Sequence, residues 1–202
     1  MRKFMKGILL CQVLLCLVMV GMLIADKQTL SDNVVRLHVV ANSDSARDQS
    51  VKLQVRDAVI ACLQGPLENM QSATEAKNYI TDHLSILEEA ANTALSGAGS
   101  TDRATVTLCK EEFQTRHYDT FSLPSGVYES LRVTIGDGEG KNWWCVVFPE
   151  FCMQATVKDM RASAVSSGFS PHLIDTLTDS DYKISFFLLD CIGKLENLFY
   201  FR

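Results

Sequence analysis

The chain has 202 residues, 47% of them hydrophobic and 21% charged, the make-up of one folded domain with a small appendage rather than a disordered or collagen-like polymer. Three of its 19 basic residues and none of its 24 acidic ones lie in the first 25 positions, so the remainder carries 16 basic against 24 acidic residues, a net charge of −8. An acidic chain without a basic patch is a poor nucleic-acid binder, and that class is set aside.

Arg2, Lys3 and Lys6 form a positive start, and Gly7 to Ala25 then runs for 19 residues with only Gln12 polar. Residues 1–25 are therefore a secretory signal or an N-terminal membrane anchor, and the length favours the anchor. Either way the basic end stays inside and the rest of the chain is exported. Residues 26–33 read as a polar linker, and residues 34–202 as the exported domain.

Val34 to Val40 is a β-branched run and predicts a strand. Asn42-Ser43-Asp44-Ser45 follows, side chains that turn and cap a backbone; Ser45 with Asp48 three residues on predicts a helix start. The helix should run from Ala46 to Gln64, with Val51, Val55, Ala58, Val59 and Cys62 on one stripe, and Gly65-Pro66 should stop it. A second helix is predicted over Ser72–Leu95, burying Ala76, Ile80, Leu84, Leu87, Ala91 and Leu95. Ala104 to Phe113 alternates like a strand, and Gln114 to Leu123 reads as its partner.

Leu131, Val133 and Ile135 alternate with polar residues, Gly136, Gly138 and Gly140 interrupt, and Trp143 to Phe148 resumes an apolar run. Two strands around a glycine-rich turn predict a central hairpin on which the rest packs. Ala155 to Ser167 has helical composition, Gly168 to Asp181 reads as a loop, and Tyr182 to Phe187 as an edge strand. Leu188, Cys191, Ile192, Leu195, Leu198 and Phe199 then form a helical stripe. The sum is α+β: a mixed β-sheet with a central hairpin, covered by helices on one side, in a single domain after the N-terminal hydrophobic segment.

Of the seven cysteines, Cys11 and Cys16 lie in the hydrophobic segment. Export permits disulfides, and Cys145 with Cys152 is the natural pair, with Pro149 to bend the chain between them; the alternative is two buried thiols. The glycine run does not match a dinucleotide fingerprint, because a strand and not a helix follows it, and Asp137 and Glu139 would repel phosphate. His38, His83, His117 and His172 are scattered, with no zinc spacing. Asn42, Asp44 and Asp48 match no calcium-loop spacing, so capping is their expected role. A thiol hydrolase would need His38 beside Cys145, but burial in an apolar run dulls a thiol, and no nucleophile-elbow motif occurs. No metal, cofactor or catalytic residue is expected. What remains for function is the polar surface of two loops, Asn42–Asp48 and Gly136–Asn142, which share one rim if the first strand lies beside the hairpin.

Two long strings carry a resemblance. Val35–Arg56, VRLHVVANSDSARDQSVKLQVR, and Ser130–Cys152, SLRVTIGDGEGKNWWCVVFPEFC, resemble the stage II sporulation protein R family, and the N-terminal hydrophobic segment fits too. The resemblance implies a signalling protein and not an enzyme. It implies synthesis in the forespore and export to the space between forespore and mother-cell membranes. There such a protein is expected to activate a membrane-embedded aspartic-type protease of the mother cell, leading to processing of pro-sigma-E. The residues expected to meet the protease are Asn42, Ser43, Asp44, Arg47, Gly138 and Lys141. The rival expectations are an exported cysteine or serine hydrolase, or a structural protein of the spore envelope.

Overall fold

The computed structural model describes residues 2–151 and 156–200. Helix α1 spans Arg2–Asn33, and its exposed apolar residues, from Phe4 to Ile24, make it the one helix among the described residues long and apolar enough to cross a membrane. The stretch expected as a linker, Asp26 to Asn33, is not extended but forms the last turns of this helix. Leu30 is buried there because it packs with Val34, Tyr128 and Leu189, and the Lys27 ammonium bonds Ser31 and Glu196.

Strand β1 (Val35–Val40) leads through Ser45, whose hydroxyl accepts from the Asp48 amide, into α2 (Ala46–Glu68). This helix runs past Gly65-Pro66 instead of stopping there. Leu63 and Leu67 are both buried in the core, and burying each contributes about 1.5–3 kcal/mol, enough to hold a last turn that the proline weakens. The helix expected over Ser72–Leu95 is two helices, α3 (Ala73–Asp82) and α4 (Leu84–Gly97). They break at His83, whose ring stacks on Tyr79 at 3.9 Å while its Nδ1 lies 2.8 Å from the Tyr79 carbonyl. The anticipated stripe largely survives the break: Ala76, Ile80, Leu87, Ala91 and Leu95 are buried, and Leu84, just after the break, is half-buried.

Strand β2 (Ala104–Phe113) is followed by a two-stranded hairpin, β3 (Arg116–His117) with β4 (Ser122–Leu123), where a full partner strand was expected. Strands β5 (Gly126–Ile135) and β6 (Asn142–Phe148) complete a four-stranded mixed sheet of order β2-β5-β1-β6. The central hairpin is therefore corrected: β5 and β6 do not pair. Strand β1 lies between them, parallel to β5 with Leu37 against Leu131, and antiparallel to β6 with Leu37 against Cys145. The glycine loop spans about 10 Å across the end of β1 rather than turning tightly. Strand β1 wins the central place because Val35, Leu37 and Val39 are fully buried there, a gain a bare hairpin would not supply.

Helices α2, α3 and α4 cover one face of the sheet over Val35, Leu37, Val39, Leu131, Val133 and Ile135. Asn92 of α4 pairs both ways with the Ala104 backbone, and Glu88 accepts from the Val106 amide, which blunts the free edge of β2. The opposite face is covered too, against the one-sided expectation. The end of α1 joins α5 (Val157–Ser166), α6 (Pro171–Thr178) and α7 (Lys183–Tyr200) around Phe113, Tyr128, Val146 and Phe151. Helix α6 lies where a loop was expected: Ser170 caps it, Pro171 occupies its first turn, and Leu173, Ile174 and Leu177 are buried. The edge strand expected over Tyr182–Phe187 is the start of α7, after a short 3-10 turn at Ser180–Tyr182.

Candidate functional site

The six residues singled out in the two polar loops come together at one end of the sheet, where β1 and β5 both finish. The loop after β5 lies over the loop after β1. Asn42 Oδ1 accepts from the Asp137 amide at 3.0 Å, the Asn42 carbonyl from the Glu139 amide at 3.2 Å, and the Ala41 carbonyl from the Gly140 amide at 2.9 Å. Asp44 Oδ1 accepts from the Lys141 amide at 2.7 Å, closing the junction.

The glycines answer to this crossing. A Cβ on Gly140 would sit 2.4 Å from the Ser43 carbonyl oxygen, and one on Gly136 would sit 2.2 Å from Asn42 Oδ1 with the backbone already at φ +56°. Gly138, at φ +66°, closes a turn onto the Ile135 carbonyl. Close backbone approach, and not phosphate binding, explains the run.

Behind the junction, Asp48 gathers hydrogen bonds from the Ser43 hydroxyl at 2.6 Å and the Asn42 amide at 3.4 Å. The Ser43 hydrogen bond, with those from Asn42 and Ser45, holds the Asp48 carboxyl below the usual carboxylate range. Lys52, buried under the rim, donates to the Lys141 carbonyl at 2.8 Å and to Gln49 at 2.7 Å; burial lowers its pKa. Arg47 reaches sideways to the Gly99 carbonyl at 2.6 Å, tying in the loop after α4. The result is a rigid rim. Asp44, Arg47 and Lys141 are exposed on it, while Asn42, Ser43 and Gly138 are half-buried.

A second polar group sits on the sheet face opposite α2 and was not singled out beforehand. Arg36 is fully buried, its guanidinium 3.9 Å from the Phe113 ring centre and 5.3 Å from that of Tyr128, with one nitrogen donating to the Tyr118 hydroxyl. His38 lies two residues on, between Trp144, stacked at 5.6 Å, and the Glu111 carboxylate, 3.1 Å from Nδ1. Arg132 holds Glu111 from the other side at 3.0 Å, and Arg116 lies 3.6 Å over the outer face of Trp144. Burial works against ionising Glu111, but the His38 hydrogen bond and the charges of His38 and Arg132 outweigh it and leave its pKa lowered. Only the i, i+2 spacing of Arg36 and His38 hinted at this cluster; its other members come from β2, β3, β5, β6 and the turn between β3 and β4.

Strand register decides the hydrolase question for the pair it needed. Cys145 lies opposite Leu37 and His38 opposite Trp144, so the thiol position and the imidazole occupy opposite faces of the sheet. His38 is a hydrogen-bonded interior histidine. Cys152, the other half of the expected bridge, lies outside the described residues, while Cys62, Cys109 and Cys191 are free thiols.

The comparisons with known proteins bear on the same region. Over 121 residues the chain is 36% identical to stage II sporulation protein R of Bacillus subtilis (strain 168), a match covering 60% of this chain and 54% of that relative. The chain thus matches about half the length of the relative. No solved structure matches it. The family model for stage II sporulation protein R matches residues 31–158, from the end of α1 through the whole sheet and both rim loops. A match over that much of the sequence settles membership: the chain belongs to the stage II sporulation protein R family.

Proposed function

We propose that the protein is an exported sporulation signal, made in the forespore, that activates a membrane-embedded aspartic-type protease of the mother cell and so leads to processing of pro-sigma-E. The observation that carries the reading is the family match itself, since it runs through both rim loops and the strands that present them. In this reading residues 1–25 direct export or anchor the chain, and residues 34–202 are the signalling domain in the intermembrane space. The rim is the protease-binding surface, with Asp44, Arg47 and Lys141 making contact and Asn42, Ser43 and Gly138 holding the loops in shape.

Pre-organisation favours such a role. The rim backbone is already fixed by internal hydrogen bonds, so little ordering entropy is lost on docking. Activation then follows from tighter binding to the protease's active arrangement than to its resting one. A Cys145–Cys152 bridge, in keeping with an exported domain, belongs to the same proposal. The protein acts as a ligand and not as an enzyme.

Co-expression in a non-sporulating bacterium tests the proposal. This chain, the protease and a tagged pro-sigma-E are made together, and the size of the tagged factor is followed. Shortening is expected only when this chain is present with its α1 segment, and it should persist in a folded His38→Ala variant. An unprocessed factor, with all three proteins made and correctly located, would overturn the activator reading.

A further inference from the structure

Helix α7 is apolar on two opposite faces, and only one of them is used. Leu189 and Gly193 turn inward, so closely that a Cβ on Gly193 would sit 1.7 Å from the Ser125 carbonyl oxygen. About half a turn of the helix away, Ile184, Phe187, Leu188, Leu195, Leu198 and Phe199 form a stripe whose members are 39% to 77% exposed. The stripe read from the sequence is thus, for Leu188, Leu195, Leu198 and Phe199, the outward one. From Ile184 to Phe199 it is about 22 Å long at 1.5 Å per residue.

Two observations say what covers it. The first is position. Helix α7 packs against the last turns of α1, where Lys27 meets Glu196 at 2.8 Å, and Leu23, inside the apolar membrane-type run, already touches the same core as Leu189. Lys27 is about 5 Å along the helix from Ile24, so if α1 stays in a bilayer, the Glu196 turn of α7 stands level with the lipid headgroups. The second is charge. Both acids of α7 point away from the stripe: Asp190 bonds Ser125 and Lys194, and Glu196 bonds Lys27. Lys183 and Lys194 fall along one border of the stripe. A long apolar face bordered by lysines and free of acids is the pattern of a helix lying in a lipid interface.

We propose that α7 is a membrane-interface helix that lays its Ile184–Phe199 stripe on the bilayer in which α1 is anchored, fixing the domain's orientation on the membrane. The inference rests on the anchor reading of α1 given above. A single weak interfacial contact binds reversibly, and a second one alongside a spanning helix sets tilt and height instead.

The test reconstitutes the full chain in vesicles of phosphatidylglycerol and phosphatidylethanolamine containing a phospholipid with a photoactivatable acyl chain. After irradiation and proteolysis, lipid adducts are mapped by mass spectrometry. Adducts are expected on α1 and on the α7 peptide, and not on α2. A Leu195→Glu/Phe199→Glu variant, which alters exposed positions only and should unfold at an unchanged temperature, should lose the α7 adducts at least about fivefold and keep those on α1. Adducts on α1 with none on α7 would overturn the inference and leave the anchor standing, with water or another protein against the stripe. Adducts on neither would overturn both. Adducts on α7 with α1 cleaved away would uphold the lipid contact and remove the anchor.

Discussion

The two ends of the sheet are built on opposite principles. At the rim, where β1 and β5 end, polar groups satisfy one another: Asn42, Ser43, Asp44 and Lys52 hold crossing loops through hydrogen bonds, and exposed charge remains only at the edge. At the other end, about 20 Å away along β1, apolar surface is left over: α1 emerges bare and α7 turns large side chains outward. A polar, pre-shaped end suits a protein partner in water, and an apolar end suits lipid. One short strand separates the two, so an α1 held in a membrane would keep the rim away from that membrane.

The sharpest way to break the apolar end is at its tightest contact. Gly193→Ala pushes a methyl group into the Ser125 carbonyl, where no flexible side chain can yield, and should cost about 3 kcal/mol in chemical denaturation. An unchanged midpoint would mean that α7 does not pack on the turn before β5. Asp190→Ala removes the acceptor for Thr115, the Ser125 amide and hydroxyl, and Lys194, and should cost about 2–4 kcal/mol.

The same aspartate gives a pH signature. Burial disfavours its charge, but Lys194 and the hydroxyl and amide donors of Thr115 and Ser125 prevail, leaving its pKa far below the usual carboxylate range. A depressed folded-state pKa supplies stability that is present above the unfolded value, near pH 4, and lost as pH falls further. Acid unfolding of the wild type should therefore steepen below about pH 4, and Asp190→Asn should flatten that part of the curve.

At the rim the effects should be smaller in stability and larger in signalling. Gly140→Ala forces the glycine loop off the Ser43 carbonyl and should cost about 1–3 kcal/mol, with loss of pro-sigma-E processing. Lys141→Glu changes an exposed side chain, so thermal stability should move by no more than about 0.5 kcal/mol, whereas Asp44→Ala also removes the acceptor of the Lys141 amide and should cost about 0.5–1.5 kcal/mol; processing should fall several-fold in both. Loss of stability and signal together in Lys141→Glu would make the rim a folding element only.

How much of this was legible in the sequence depended on range. Strand β2 and the cap at Ser45 were readable because alternation and capping are local. The place of β1 between β5 and β6 was not, because a strand that inserts from about a hundred residues away leaves no mark on the two runs it separates. Pro171 suggested a loop but stands at the start of α6, where a missing amide hydrogen does no harm. The apolar residues after Tyr182 read as strand because helix and strand share short apolar runs, and only the packed positions Leu189 and Gly193 settle the period.

The two loops that meet at the rim could be named in advance because polar loops and spaced glycines advertise themselves. The Arg36, His38, Glu111 and Arg132 cluster could not, because tertiary register alone assembles it.

The most direct test of the oriented-domain account compares charge reversal at the rim with charge reversal at an equally exposed site elsewhere, in the three-component processing system. Lys141→Glu on the rim and Glu89→Lys on the outer face of α4 would be scored together, with protein level and unfolding temperature measured for both. The account predicts that Lys141→Glu loses most pro-sigma-E conversion while Glu89→Lys keeps it, both remaining as stable as the wild type. Full conversion by Lys141→Glu, or equal loss in both, would contradict a rim that docks on the protease.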